Sequence, residues 1–286
     1  KAVGEQLYAI AKENMPYIIP IIDATDEKLD DEVGNLLDSK IIKEKYEVIK
    51  QVKLLNSSKD IDEQIIIAAI MRRYQYDYKK SKEIYEKLLS DDPNFIQELM
   101  KKIAFTGDGA ELSQVNFEFQ VPVSNAIKTH LLRHRTHRFV NPDFDSIDLT
   151  QYITPPSIAR TELKKQYDFI YEHNNNMYEY LRSYGIPKED LIYLNLSGNT
   201  TNFVTNMDGL TLSHILALRE CNKAQWETRI IAHGMHDEIR KLPDAKAFSS
   251  VVGPTCETQR VCHEGKECCG KVLQLIKHDE EKLSKN

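Results

Sequence analysis

The stretch Val115-Asn116-Phe117-Glu118-Phe119-Gln120-Val121 alternates apolar and polar residues without a break. Period two puts every apolar side chain on one face, so this segment is a half-buried strand and no helix. Around it the apolar spacing is that of helices. Residues 62–74, 78–89 and 94–105 read as helices, and a turn at Gly107-Asp108-Gly109 leads into the strand. Pro122 is expected to end the strand, and 123–133 to continue helically. Strands are also expected at 46–55 and 202–207, and helices at 5–19, 160–183 and 210–242, with a rigid Pro155-Pro156 turn at 152–157. The acidic stretch 23–38 reads as a linker, with a solvated surface helix as the alternative. Long helices with scattered strands define an α+β fold with a central, mostly antiparallel sheet.

The chain has 286 residues, 41% of them hydrophobic, and no apolar run approaching the roughly 20 residues of a membrane span. Three parts are expected: an N-terminal helix and acidic linker (1–45), the main domain (46–250) and a Cys-rich tail (251–286). Four of the five cysteines fall between Cys256 and Cys269, too local for a secreted disulfide framework, so a reducing cytoplasm is the expected location. Cys256, Cys262, His263 and Cys269 are candidate zinc ligands, although the spacing is not that of a common zinc module, and a packed reduced loop or one carrying a disulfide fits as well.

Residues Arg133-His134-Arg135-Thr136-His137-Arg138 place five basic or titratable side chains in six positions. Mutually repelling guanidinium groups favour phosphate or carboxylate oxygens as partners. A clamp for a nucleotide or dinucleotide fits this pattern, and so does a basic turn paired with the surplus acids. A nucleic-acid surface does not fit a formal charge of −6. Farther along, Arg219, Asn222, Trp226, Arg229 and His233 recur at steps of three or four, which on one helix would form a single stripe suited to a flat anionic ligand.

Four ordered motifs carry a family resemblance: Arg133-His134-Arg135, the turn from Tyr152 to Ile158, Gly185-Ile186-Pro187-Lys188-Glu189-Asp190, and Arg219-Glu220-Cys221-Asn222-Lys223-Ala224-Gln225-Trp226-Glu227-Thr228-Arg229. Together they resemble the flavin-dependent thymidylate synthases. The Cys tail looks like one carried by some bacterial members. The resemblance implies a homotetramer with FAD lodged between subunits. It also implies transfer of a one-carbon unit from methylenetetrahydrofolate to deoxyuridine monophosphate (dUMP), with NADPH as reductant. By the same resemblance Arg133, His134, Arg135, Arg219 and Asn222 face the flavin. His130, Asn141, Ser146 and Arg229 face the nucleotide, with Arg229 beside the pyrimidine as the catalytic cation.

The sequence departs from the family pattern in the loop after Arg135, where Pro142, Asp143 and Asp145 stand near an expected phosphate. Leu210 replaces an arginine of the pattern, and Leu112-Ser113-Gln114 lacks its histidine. Two alternatives follow from these losses: a non-catalytic, scaffolding relative, or one-carbon transfer to a different pyrimidine nucleotide. Residues 4–16 resemble the family's closing helix, as expected of a remnant of a preceding unit.

Overall fold

The computed structural model describes residues 6, 8–10, 12, 13, 28–41, 47–142 and 146–283, in two compact units, Lys1–Tyr46 and Glu47–Asn286. In the first unit Lys28–Asp38 is a helix, so the linker reading of 23–38 gives way to the surface helix over these residues. Val33, Leu36 and Leu37 sit at the three- and four-residue steps that a helix needs. Of the helix expected at 5–19, residues 6, 8–10, 12 and 13 are helical. Its remaining positions, and most of the 4–16 stretch read as a remnant, lie outside the described residues.

The second unit is α+β. Its sheet has the order β1 (Lys53–Ser57), β2 (Asn116–Ser124), β4 (Thr200–Asp208), β3 (Arg138–Val140), and every pairing is antiparallel. The spine is β2 against β4, in register from Asn116 opposite Asp208 to Ser124 opposite Thr200. One face of this pair carries Phe117, Phe119, Val121 and Val123 beside Met207, Thr205, Phe203 and Thr201, all buried. The alternation read from the sequence is therefore the core face.

Helices α1 (Ile61–Tyr74), α2 (Tyr78–Asp91) and α3 (Pro93–Thr106) follow β1 close to the expected bounds. Ile61, Ile65, Ile66 and Met100 are fully buried among them. After β2 come α4 (Asn125–Leu131), α5 (Lys164–Ser183), α6 (Gly209–Arg219), α7 (Trp226–Arg240), α8 (Lys246–Val251) and α9 (Lys271–Leu283). The expected rigid turn at 152–157 runs into a short helix, Pro156–Ala159. No described helix is long and apolar enough to cross a membrane.

Several boundaries differ from the sequence reading. The first strand begins at Lys53 rather than 46; upstream, Val48, Ile49 and Val52 line a cavity instead. Pro122 lies inside β2, tolerated because β1 pairs only with Phe117 to Gln120 and no neighbour needs an N–H there. Strand β2 runs on to Ser124, whose hydroxyl accepts the Ile127 N–H at 3.3 Å and starts α4. The largest change is at 210–242, where the single expected helix is broken between Arg219 and Trp226. The Gln225 side-chain oxygen accepts the N–H groups of Glu227 and Thr228 at 2.6 and 3.0 Å and opens a new helix. Arg219, Asn222 and Trp226 therefore share no helical face.

One close approach and one polar contact hold the layers. Gly209 packs so closely that a Cβ there would lie 2.5 Å from the Leu112 carbonyl oxygen. Asp62, buried at the start of α1, accepts the N–H groups of Ala247 and Phe248, each at 2.8 Å, and caps α8 from across the core. Replacing Asp62 by alanine would leave two buried donors unpaired, at about 1–3 kcal/mol each. We expect a loss of about 2–4 kcal/mol in urea unfolding, with the denaturant slope unchanged.

Candidate functional site

The basic stretch forms a turn between α4 and β3. The Leu131 carbonyl accepts the His134 N–H at 3.0 Å, and the buried His137 ring also reaches it, Nε2 to oxygen at 3.0 Å. His137 Nδ1 lies 2.7 Å from the Thr205 hydroxyl on β4. Burial pushes the His137 pKa down. A neutral ring donating from Nε2 and accepting from Thr205 at Nδ1 satisfies both contacts. With its ring centroid 5.5 Å from Phe139 and 6.4 Å from Phe203, His137 is an anchor rather than an anion ligand.

With the turn pinned by His137, Arg133 and Arg135 are exposed, and among the described residues no hydrogen bond or ion pair engages either guanidinium. Between them His134 is half-buried and accepts a hydrogen bond from Arg219 Nε at 3.0 Å. The acceptor is Nε2, so the ring proton sits on Nδ1. Burial, followed by repulsion from Arg219, His137 and His214, pulls the His134 pKa down to about 4. This contact joins two segments 85 residues apart in the chain.

Both histidines have folded pKa values below the ordinary 6.5. The unfolded chain therefore takes up protons first as the pH falls, and stability is lost through that window. It should be full above about pH 6.5 and decline toward about pH 4, as melting temperatures measured across the range would record. A His137→Gln variant should give a flatter curve.

Past Arg219 the chain turns sharply. Arg229 reaches back from α7, and its NH1 donates to the carbonyls of Asn222 and Ala224 at 2.8 and 3.3 Å. Glu220 is buried, with His236 Nδ1 2.9 Å and His233 Nδ1 3.3 Å from its Oε1. Gly253, at φ 122°, makes room for that carboxylate; a Cβ there would lie 3.1 Å from Glu220 Oε2. Glu227 accepts both the N–H and the hydroxyl of Ser124, each at 2.8 Å, tying α7 to the end of β2. Burial raises the Glu227 pKa, opposed in part by the Ser124 hydrogen bonds and the nearby His130.

A cavity of about 1080 Å³ opens beside α7, with Trp226, Glu227, His233, Tyr152, Val48 and Lys241 in its wall. That is enough for a nucleotide or a flavin ring. Trp226 and His233 of the expected stripe reach it, whereas Arg133, Arg135, Arg219, Asn222 and Arg229 are not among its lining residues. Asn141 and Ser146 are exposed on either side of 143–145, which lie outside the described residues. Leu210, where the family pattern has arginine, packs against the apolar core.

The zinc expectation is corrected. Among the described residues no three His, Cys, Asp or Glu side chains are placed to hold a metal ion. His263 is exposed and is not among the residues lining the cavity that the thiols share. Instead Cys221 joins Cys256, Cys262, Cys268 and Cys269 around a cavity of about 20 Å³. Sequence reasoning missed Cys221 because it lies inside the Arg219 to Arg229 motif. It missed the Glu220–His236 pair because no local spacing announces it.

The chain belongs to the thymidylate synthase complementing protein family, whose model matches residues 53–243. Among its relatives are proteins named flavin-dependent thymidylate synthase. That of Sulfolobus acidocaldarius is 31% identical over 217 residues, covering 72% of this chain and 78% of the relative. That of Sulfurisphaera tokodaii is 32% identical over 219 residues, with the same coverages. That of Geobacter sulfurreducens is 27% identical over 234 residues, covering 79% and 96%. A UMP/dUMP methylase, PolB from Streptomyces cacaoi, crystallised with 5-Br dUMP, shares the fold at TM-score 0.57 and 19% identity, over 69% of this chain and 94% of that one.

Proposed function

We propose that this chain is a flavin-dependent methyltransferase that converts dUMP to thymidylate, with methylenetetrahydrofolate as one-carbon donor and NADPH as reductant. The observation that carries the reading is the hydrogen bond from Arg219 to His134. It unites two of the four motifs that carry the family resemblance, beside two uncommitted arginines. A dianionic cofactor suits this arrangement. Arg133 and Arg135 offer guanidinium forks for phosphate oxygens, and the neutral His134 holds Arg219 in place without adding charge.

In this reading Arg133, His134, Arg135, Arg219 and Asn222 hold FAD. Bound there and reduced, FAD would supply the hydride needed to turn the transferred one-carbon unit on the pyrimidine into a methyl group. His130, Asn141 and Ser146 serve the nucleotide. Arg229, fixed by the carbonyls of Asn222 and Ala224, keeps a permanent positive charge near the pyrimidine and stabilises negative charge developing on the ring. The separation of the arginine turn from the large cavity suits a site completed between subunits, in a cytoplasmic homotetramer.

One observation favours a second reading, a different pyrimidine nucleotide as substrate: the methylase that shares the fold is named for both UMP and dUMP. Titrating the FAD-loaded protein with dUMP and with UMP, and following the flavin absorption band, separates the two. A response to dUMP at the lower concentration supports the first reading, and the reverse order supports the second.

A further inference from the structure

We propose that Cys262 and Cys268 form a reversible disulfide, and that its formation is felt in the turn bearing Arg219 and Asn222. The bridge itself is independent of the functional reading above; only its effect on flavin rests on that reading. All five cysteines are free thiols and line one cavity with room for about a single water. Within it Cys262 and Cys268 both line the wall, at the two ends of one short segment. The segment between them is folded tightly: Gly265 is left-handed at φ 52°, the Cys268 N–H donates to the Gly265 carbonyl at 3.2 Å, and the Glu267 N–H to Glu264 at 2.9 Å. The Gly270 N–H donates to Cys268 Sγ at 3.4 Å. Both thiols are part-exposed, so small reagents reach them.

The same hairpin touches the turn after α6. Asn222 Nδ2 donates to Cys269 Sγ at 3.4 Å, and Lys223 Nζ pairs with Glu267 at 2.9 Å. Cys269 is the neighbour of Cys268, and Glu267 lies inside the loop a bridge would close. A shift of either sulfur is therefore transmitted to Asn222 and Lys223, three and four residues beyond Arg219.

The oxidant is a small-molecule disulfide of the glutathione type. The Cys268 thiolate, which accepts the Gly270 N–H, attacks one of its sulfurs, forming a mixed disulfide and releasing one thiol. The Cys262 thiolate then attacks the Cys268 sulfur, forming the protein bridge and releasing the second thiol. Two protein thiols lose two electrons and two protons, and the small disulfide gains them.

The test uses the full chain, purified reduced and without chelators, equilibrated across ratios of reduced to oxidised glutathione, then alkylated and mapped by mass spectrometry. The expected result is loss of two hydrogens, with the linked peptides carrying Cys262 and Cys268. The bridge should persist in Cys256→Ser and be absent from Cys262→Ser with Cys268→Ser. Hydrogen exchange at 220–225 should differ between the two forms of the wild type, and the FAD dissociation constant should shift severalfold. No bridge in the oxidising buffer, a bridge mapped to other thiols, or tightly bound zinc that blocks oxidation would overturn the proposal. A bridge with unchanged exchange at 220–225 would overturn the coupling. FAD failing to bind in either form would count against the flavin reading and leave the exchange comparison standing.

Discussion

Replacing Arg219 by alanine should strip the protein of flavin while leaving it folded. Arg219 sits half-buried at the end of α6 and donates to His134 at 3.0 Å, so its removal takes away one cation and frees the side chain that holds the arginine turn to α6. Charge-assisted hydrogen bonds are worth about 1.5–3 kcal/mol each. Losing one weakens binding by about 10- to 150-fold, and losing the fixed position of His134 adds to that. Arg133→Ala should act in the same direction through its own exposed guanidinium. Equilibrium dialysis against FAD reads both effects, and circular dichroism checks the fold. If Arg219→Ala binds FAD as tightly as the wild type, Arg219 does not belong to the site.

The second large effect is on stability. Phe117 is fully buried on β2, its ring 5.3 Å from Phe248 at an interplanar angle of 14° and 6.4 Å from Phe119. It joins the sheet to α8 and faces Met207 across the β2–β4 ladder. Phe117→Ala should cost about 3–5 kcal/mol, the transfer of the ring plus the cavity it leaves. That is a large part of the roughly 5–15 kcal/mol that holds a domain together. A loss below about 1 kcal/mol in chemical unfolding would mean that the ring is not in the core.

The parts of the fold that the sequence announces are those in which local pattern and tertiary packing agree. Strand β2 alternates because one of its faces is core. Helices α1, α2 and α3 carry apolar residues at helical steps, and Asp77 and Asp92 accept N–H groups at the starts of the last two. The break between α6 and α7 is set by the Gln225 cap, which the apolar periodicity running through it conceals. Strand β1 starts late because pairing with β2 decides where it exists, and Val48 and Ile49 have no strand opposite them.

The site is legible to a different degree. By composition alone the Arg133 to Arg138 cluster fits an anion clamp and a basic turn equally, and its contact with Arg219 crosses 85 residues and is reachable from sequence only through family resemblance. His137 is indistinguishable in sequence from its neighbours. Only burial against Thr205 and Phe203 makes it the anchor of the turn. The five thiols likewise converge through tertiary folding, since Cys221 is far from the tail in the chain.

The most direct measurement is product formation. The chain is incubated with FAD, NADPH, methylenetetrahydrofolate and dUMP, and the nucleotides are separated by chromatography. Thymidylate should appear, depend on every component, and vanish with Arg219→Ala. A protein that binds FAD and dUMP and yields no methylated nucleotide, or one that never binds FAD, would contradict the account.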